Sequence, residues 1–268
     1  MLLRSVCFFV AALATGFVHA HELFLQPQSY QIAVGDPLLA EVKVGEDFDG
    51  GRNIFNPEKF RQFDLAVGNE VVPIPGRLGD MPAANITTDA DGLHILVHVS
   101  QDLRLRYTKF EKFEKFIDHK DLKGTLGAHA ARGLSTTDFV EAYSRYAKSL
   151  VAVGSGVGQD RTFGLETEIV ALANPYTDDL DGEMPVQVFY QQRVRPDAQV
   201  ELFERLGDEV KITLHRTDAN GVALLPVKAG AEYMVDAVVI REPSAALAEK
   251  MDAVWETLWA NLTFAVPR

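Results

Sequence analysis

Cysteine is almost absent from this chain. The one cysteine among 268 residues is Cys7, and it lies in an N-terminal apolar stretch that is typical of a signal peptide. Once that stretch is removed, no disulfide, thiolate metal site or cysteine nucleophile can form. Cys7 also opens the stretch instead of following it, which does not fit the cleavage cysteine of a lipoprotein.

Basic charge and long apolar runs are also scarce. Lys and Arg number 26 against 38 Asp and Glu, so the formal net charge is −12. An acidic chain is a poor partner for nucleic acid or an anionic membrane surface. The apolar run over residues 7–18 is shorter than the ~20 residues of a membrane span, and no later run is as apolar. We therefore predict no nucleic-acid partner and no direct membrane insertion after processing.

The common catalytic motifs are missing as well. The chain contains no HExxH, CxxC or GxSxG pattern, and the glycine cluster at 154–158 lacks the Lys-Ser/Thr of a phosphate-binding loop. An N-terminal histidine paired with a second histidine can hold copper in an oxidative site, but nothing else in the sequence supports that activity. We predict that the protein is not an enzyme.

The N-terminus has the three parts of a secretory signal. Arg4 supplies a positive charge, an apolar stretch follows, and Val18 and Ala20 place small residues at positions −3 and −1 of a cleavage site. The sequence therefore predicts a signal peptide over residues 1–20 and a mature, periplasmic chain that begins at His21.

Short strands separated by turns dominate the rest of the chain. Alternating apolar residues recur at the spacing typical of β-sandwiches. Residues 110–122 instead carry Phe at helical spacing, and a second helix is predicted from Ser135 with a buried face formed by Phe139, Tyr143, Tyr146 and Leu150. We predict a mainly β fold of two β-sandwich domains, residues 21–176 and 183–268, with the two helices inserted in the first.

The predicted mature terminus is the sharpest candidate site. Cleavage before His21 would place a free α-amino group beside an imidazole, and together these nitrogens can chelate one metal ion. Nitrogen and oxygen donors suit nickel, cobalt and copper. One or two of His94, His98 and His119 would complete the site. His94 and His98 lie ~13 Å apart on one strand, so at most one of them can join His21.

Plainer interpretations remain open for the same residues. His94 and His98 would serve equally well as buried strand residues with satisfied hydrogen bonds. The acidic loop at residues 46–49 would either recruit cations or simply keep the surface soluble. A further alternative is a non-catalytic carbohydrate- or protein-binding β-sandwich of the cell envelope, with its function on the loops.

Several segments together resemble a known bacterial family. They are residues 21–27 (HELFLQP), 110–122 (FEKFEKFIDHKDL), 143–150 (YSRYAKSL), 165–169 (LETEI), 216–221 (RTDANG) and 259–264 (WANLTF). The family comprises periplasmic proteins of unknown function, often labelled NikM-like or the periplasmic component of a cobalt or nickel transport system. The resemblance implies an immunoglobulin-like or prealbumin-like C-terminal sandwich and an accessory role beside a membrane metal transporter. The third mature residue is Leu23, so the three-residue amino-terminal copper and nickel motif is absent.

Overall fold

The computed structural model describes residues 21–268, and the predicted signal peptide lies outside the described residues. The strands are β1 (Glu22–Pro27), β2 (Gln31–Ile32), β3 (Pro37–Gly45), β4 (Gly51–Asn53), β5 (Phe60–Val67), β6 (Glu70–Pro73), β7 (Ala84–Thr87), β8 (Gly92–Ser100), β9 (Leu103–Tyr107), β10 (Phe139–Val153), β11 (Thr167–Ala171), β12 (Glu183–Tyr190), β13 (Arg193–Val194), β14 (Gln199–Leu206), β15 (Glu209–Arg216), β16 (Val222–Pro226), β17 (Glu232–Arg241) and β18 (Trp255–Ala265). The helices are α1 (Phe110–His119), α2 (Thr125–Ala131) and α3 (Ala245–Met251).

Three sheets build the molecule. The central sheet has ten strands in the order β15-β14-β17-β18-β10-β8-β5-β6, with β2 and β9 also paired to β10. The N-terminal sheet consists of β1, β3, β4 and β7, and the outer sheet of β11, β12, β13 and β16. The mainly β fold predicted from the strand spacing is confirmed.

The central sheet is covered on both faces. On one face, side chains such as Leu202, Val235 and Leu262 pack against Val186 and Val188 of the outer sheet, as in a β-sandwich. On the opposite face, the N-terminal sheet and helices α1 and α2 lie side by side and bury two separate apolar clusters against it. The seam between these two coverings is where the candidate site forms.

The segment predicted as the second helix, residues 135–150, is mostly strand, and that prediction is wrong. It contains most of β10, which pairs in parallel with β18 and antiparallel with β8 and β9. Tyr146 and Leu150 face the outer sheet, whereas Ala147 and Val151 face the N-terminal sheet. Because both faces are buried, β10 lacks the apolar-polar alternation of a half-exposed strand.

The helical insertion itself exists, with a different second member. Helix α1 buries Phe113, Phe116 and Ile117 as its spacing predicts. The second helix is α2, which precedes the segment predicted as the second helix and buries His129. Trp255 Nε1 donates a hydrogen bond of 3.0 Å to His129 Nδ1, and His129 Nε2 donates one of 3.0 Å to the Ser135 carbonyl oxygen. The first of these contacts attaches the insertion to β18, and the second ties α2 to the segment that follows it.

Strands from both predicted domains share the central sheet. The last strand, β18, pairs with β10 over nine residue pairs, from Glu141 and Trp255 to Ser149 and Thr263. One apolar cluster also contains residues from both segments, among them Ile95 and Leu225. The predicted boundary at 176–183 thus lies between elements that bury a common core.

Candidate functional site

Four buried charged side chains meet at the seam between the N-terminal sheet and α1. Glu22 opens β1, Lys120 follows α1, and Glu201 of β14 is the register partner of Asp236 of β17. Lys120 Nζ lies 3.2 Å from Glu22 Oε1, 2.9 Å from Glu201 Oε2 and 3.2 Å from Asp236 Oδ2. One ammonium group therefore binds three carboxylates that come from separate parts of the chain.

Helix α1 fixes the position of Lys120. The ring of Phe116 stacks on that of Trp259 with 5.7 Å between centroids. Lys120 Nζ lies 4.8 Å from the centroid of the Trp259 ring, a favourable cation–π distance. The Phe stripe that predicts the helix thus also directs its terminal lysine toward the central sheet.

The pKa values of Lys120, Asp236 and Glu201 reflect three carboxylates placed around one ammonium group. Burial alone would lower the pKa of Lys120, but Asp236, Glu22 and Glu201 outweigh it and raise the pKa above its ordinary value. Burial and the neighbouring carboxylates raise the pKa of Asp236 to about 7. Burial also opposes ionisation of Glu201, yet hydrogen bonds from His119 and Lys120 lower its pKa overall.

The inner acid cluster does not fit a metal ion while Lys120 is in place. Oxygen atoms of Glu22, Glu201 and Asp236 lie within 4.8 Å of one another, which suits a cation bound by oxygen. Lys120 Nζ already lies at hydrogen-bond distance from all three carboxylates. A metal ion there would have to displace a buried ammonium group.

An open acidic pocket lies next to this cluster. Its volume is about 210 Å³, and Glu22, Lys120 and Glu201 of the inner cluster line it. Its other walls include Glu46, Asp47, His119, Phe203 and Ile212. His119 is half exposed, and its Nε2 lies 3.5 Å from Glu201 Oε1. The hydrogen bond with Glu201 raises the pKa of His119 against the opposing effect of burial.

His21 lies beside the same pocket, in contact with Glu46 of its wall. Its Nδ1 is 3.0 Å from Glu46 Oε1, and both side chains are close to half exposed. Arg145 Nη2 donates a hydrogen bond of 2.7 Å to the His21 carbonyl oxygen, which anchors the start of β1. Asp49, in the same acidic loop, accepts a hydrogen bond from the Gly50 amide and so shapes the loop.

The four predicted metal-ligating histidines occupy three places. His119 lines the acidic pocket and His21 contacts its wall residue Glu46, and the role of both as metal ligands stays a prediction. His94 is fully buried, with Nδ1 donating to the Gly92 carbonyl oxygen at 3.1 Å and Nε2 accepting from Thr88 Oγ1 at 3.2 Å. His98 lies in a different cavity and packs against aromatic rings.

Sequence reasoning missed the charged residues that build the site. Lys120, Glu201 and Asp236 did not stand out by motif or spacing. The available signal was an acidic residue inside an apolar strand, as in the segment 234–239, where Asp236 interrupts MVDAVV. Such a carboxylate is almost never fully buried without a partner, so it indicates a buried cation elsewhere in the chain.

Comparisons with known proteins place the chain in a family without assigned activity. A family described as "Domain of unknown function (DUF4198)" matches residues 18–241. The comparison with curated proteins found no match. Within residues 21–268, no helix has the length and apolarity needed to cross a membrane.

Two solved structures share a low level of similarity with the chain. The D0-D1 domain of Intimin is 12% identical with a TM-score of 0.24, and the alignment covers 90% of this chain and 97% of that one. A tetra-tandem repeat from the extending region of a large adhesion protein is 12% identical with a TM-score of 0.20, covering 91% of this chain and 49% of that one. At these TM-scores the similarities support no conclusion about function.

Proposed function

The chain belongs to the DUF4198 family, and from the geometry of the acidic pocket we propose that it binds a divalent transition metal ion there. The ligands are His21, Glu46 and His119. The observation that carries the proposal is the 3.0 Å approach of His21 Nδ1 to Glu46 Oε1, because Glu46 and His119 line the same pocket. Predictions from the mature N-terminus and from the acidic loop thus converge on one place.

The predicted processing supplies the remaining donor. Cleavage before His21 frees an α-amino group with an ordinary pKa near ~8, which a metal ion deprotonates at neutral pH. The amine and Nδ1 of one histidine close a chelate ring, and the Glu46 carboxylate adds an oxygen donor. Nitrogen-rich sites of this type favour nickel, cobalt and copper, with copper bound most tightly.

The exposure of the site suits transfer of an ion. His21 and Glu46 are about half exposed, so a bound ion would remain within reach of a partner protein. The surrounding carboxylates attract cations. The proposed role is that of a periplasmic, NikM-like accessory for metal handling beside a membrane transporter for nickel, cobalt or copper.

The experiment compares two N-termini. Protein that begins at His21 and protein with one extra residue before His21 are titrated calorimetrically with Ni²⁺, Co²⁺ and Cu²⁺. We expect the extra residue to weaken binding at least about tenfold, since it removes the amine from the chelate. His119→Ala should weaken binding in the correctly processed protein by a similar factor.

His215→Gln is the matched control. His215 lies on β15 on the opposite face from Ile212, which lines the pocket, so this variant should bind metal like the wild type. Equal affinity of the two N-terminal forms would remove His21 from the site. A secreted chain that starts at another residue, as shown by mass spectrometry, would refute the proposal.

A further inference from the structure

A second cavity lies on the other side of β1, between the N-terminal sheet and the central sheet. Its volume is about 310 Å³, within the range of small-molecule sites. Three Phe rings, from Phe55, Phe60 and Phe63, form an aromatic cluster in its wall with centroids 5.2–6.2 Å apart. Leu23 and Ala83 add apolar surface. The cavity therefore offers an apolar surface to the body of a ligand.

Two deeply buried polar side chains in this wall have atoms without partners. His98 is 4% exposed and Arg145 is 5% exposed. Neither His98 Nδ1 nor Arg145 Nε forms a hydrogen bond within residues 21–268. Buried polar atoms are nearly always satisfied in folded proteins, so two such atoms in side chains that line one cavity point to a ligand as the missing partner.

The charge of this cavity is opposite to that of the protein. Its charged lining residues are Lys59 and Arg145, and none of its lining residues is acidic, although the chain carries a net charge of −12. The nearby carboxylates of Glu22 and Asp236 are bound by Lys120. Arg145 Nη2 is taken up by the His21 carbonyl oxygen, but Arg145 Nε has no partner within residues 21–268 and remains available for an external anion.

His98 complements Arg145 as a neutral donor. Burial, together with the charge of Arg145, lowers the pKa of His98 to about 3. At neutral pH its ring is thus uncharged and carries one N–H. Its ring packs against Phe60 and Phe63 at centroid distances of 5.7 and 5.2 Å, which holds the imidazole within the aromatic wall.

We propose that this cavity binds a small carboxylate whose body is aromatic or branched aliphatic. The carboxylate accepts hydrogen bonds from Arg145 Nε and His98 Nδ1, while the body lies among Phe55, Phe60 and Phe63. Charge-assisted hydrogen bonds to arginine favour carboxylate recognition. This site is separate from the acidic pocket, and its occupancy does not depend on metal binding.

The test measures binding of phenylacetate and 4-methylpentanoate by calorimetry, with EDTA present to exclude metal effects. Phenethylamine serves as a cation of similar size and shape. We expect dissociation constants below about 1 mM for the two carboxylates and no measurable binding of the amine.

Three variants locate the binding site. Arg145→Gln should weaken phenylacetate binding at least about tenfold, and His98→Phe should weaken it about threefold while retaining the ring packing. Ile54→Trp, at an exposed position in the cavity wall, should block entry and gives a readout even if Arg145→Gln fails to fold. Equal binding of acid and amine, full affinity in a folded Arg145→Gln variant, or no binding of either carboxylate would overturn the proposal.

Discussion

Replacing Lys120 by methionine should destabilise the protein by about 3–5 kcal/mol, because it leaves three buried carboxylates without their cation. Lys120 is 6% exposed, and Glu22, Glu201 and Asp236 are each exposed by less than a tenth. The variant retains an apolar side chain of similar length against Trp259, so most of the effect reports the lost charge. Urea unfolding at pH 7, in the presence of a chelator, measures it.

Lys123→Met is the matched control for this substitution. Lys123 is about two-thirds exposed and forms ion pairs with Asp121 at 3.4 Å and with Asp197 at 3.5 Å. Pairs of that kind contribute up to about 1 kcal/mol. If both lysine variants lost the same small amount of stability, the inner cluster would not depend on the Lys120 ammonium group.

The shorter variant Lys120→Ala provides a second readout of the same geometry. It vacates the space between oxygen atoms that lie within 4.8 Å of one another, and hard divalent cations prefer such oxygen ligands. Added Ca²⁺ should therefore raise the midpoint of unfolding of Lys120→Ala and leave that of the wild type unchanged, as ligand linkage requires. An equal effect of Ca²⁺ on both proteins would show that the ion acts elsewhere.

The local elements of the fold follow from sequence pattern where one face alone is buried. The Phe stripe at residues 110–117 predicts α1 because its apolar side chains share one helical face. The alternation in residues 37–45 likewise predicts β3, whose buried and less buried residues alternate over most of its length. In both cases the periodicity of a single element carries the information.

Strand β10 shows why sequence periodicity fails to predict the strands of the central sheet, which is buried on both faces. Its large side chains at 139, 143, 146 and 150 recur at helical spacing, so the sequence predicts a helix where a strand forms. Its polar residues Glu141, Arg145 and Lys148 would be exposed on a helix, but here they are buried. Glu141 and Arg145 have partners far away in sequence: Thr257 donates a hydrogen bond to Glu141, and Arg145 Nη2 donates one of 2.7 Å to the His21 carbonyl oxygen. No local window contains those partners.

The sequence predicts only part of the candidate site, because some of its residues meet through tertiary packing and not within one element. His21 follows from the cleavage motif, and Glu46 lies in a loop whose acidic residues are evident in the sequence. Their approach to His119 depends on how the N-terminal sheet and α1 cover the central sheet, which is a tertiary property. The pairing of Glu201 with Asp236 depends on strand register. Sequence alone therefore indicates the donors but not which of them meet.

Glu141 should make the stability of the protein depend strongly on pH. Its side chain is fully buried and accepts hydrogen bonds from Tyr107 Oη, at 2.9 Å, and from Thr257 Oγ1. Burial raises the pKa of Glu141 from 4.5 to about 7, against the opposing effects of Thr257, Tyr107 and Arg145. The folded protein therefore holds a proton that the unfolded chain has already released near neutral pH.

The sign of the effect follows from proton linkage. Below pH 4.5 the carboxyl group is protonated in both states, and stability is at its fullest. As the pH rises from 4.5 to about 7 the unfolded state loses its proton first, so stability falls. Above about 7 the loss levels off at about 3 kcal/mol, which corresponds to the difference between the two pKa values.

Glu141→Gln should abolish this dependence, because the amide fits the same space and does not ionise. Tyr107 and Thr257 can each rotate their hydroxyl group to donate to the amide oxygen or to accept from the amide nitrogen. Between pH 5 and pH 8 we expect the stability of the wild type to fall by about 2–3 kcal/mol relative to Glu141→Gln in urea unfolding. Glu249→Gln, at an exposed position on α3, should keep the profile of the wild type. Parallel profiles for Glu141→Gln and the wild type would mean that Glu141 keeps its charge inside the fold, stabilised by Thr257, Tyr107 and Arg145 at least as strongly as burial opposes it.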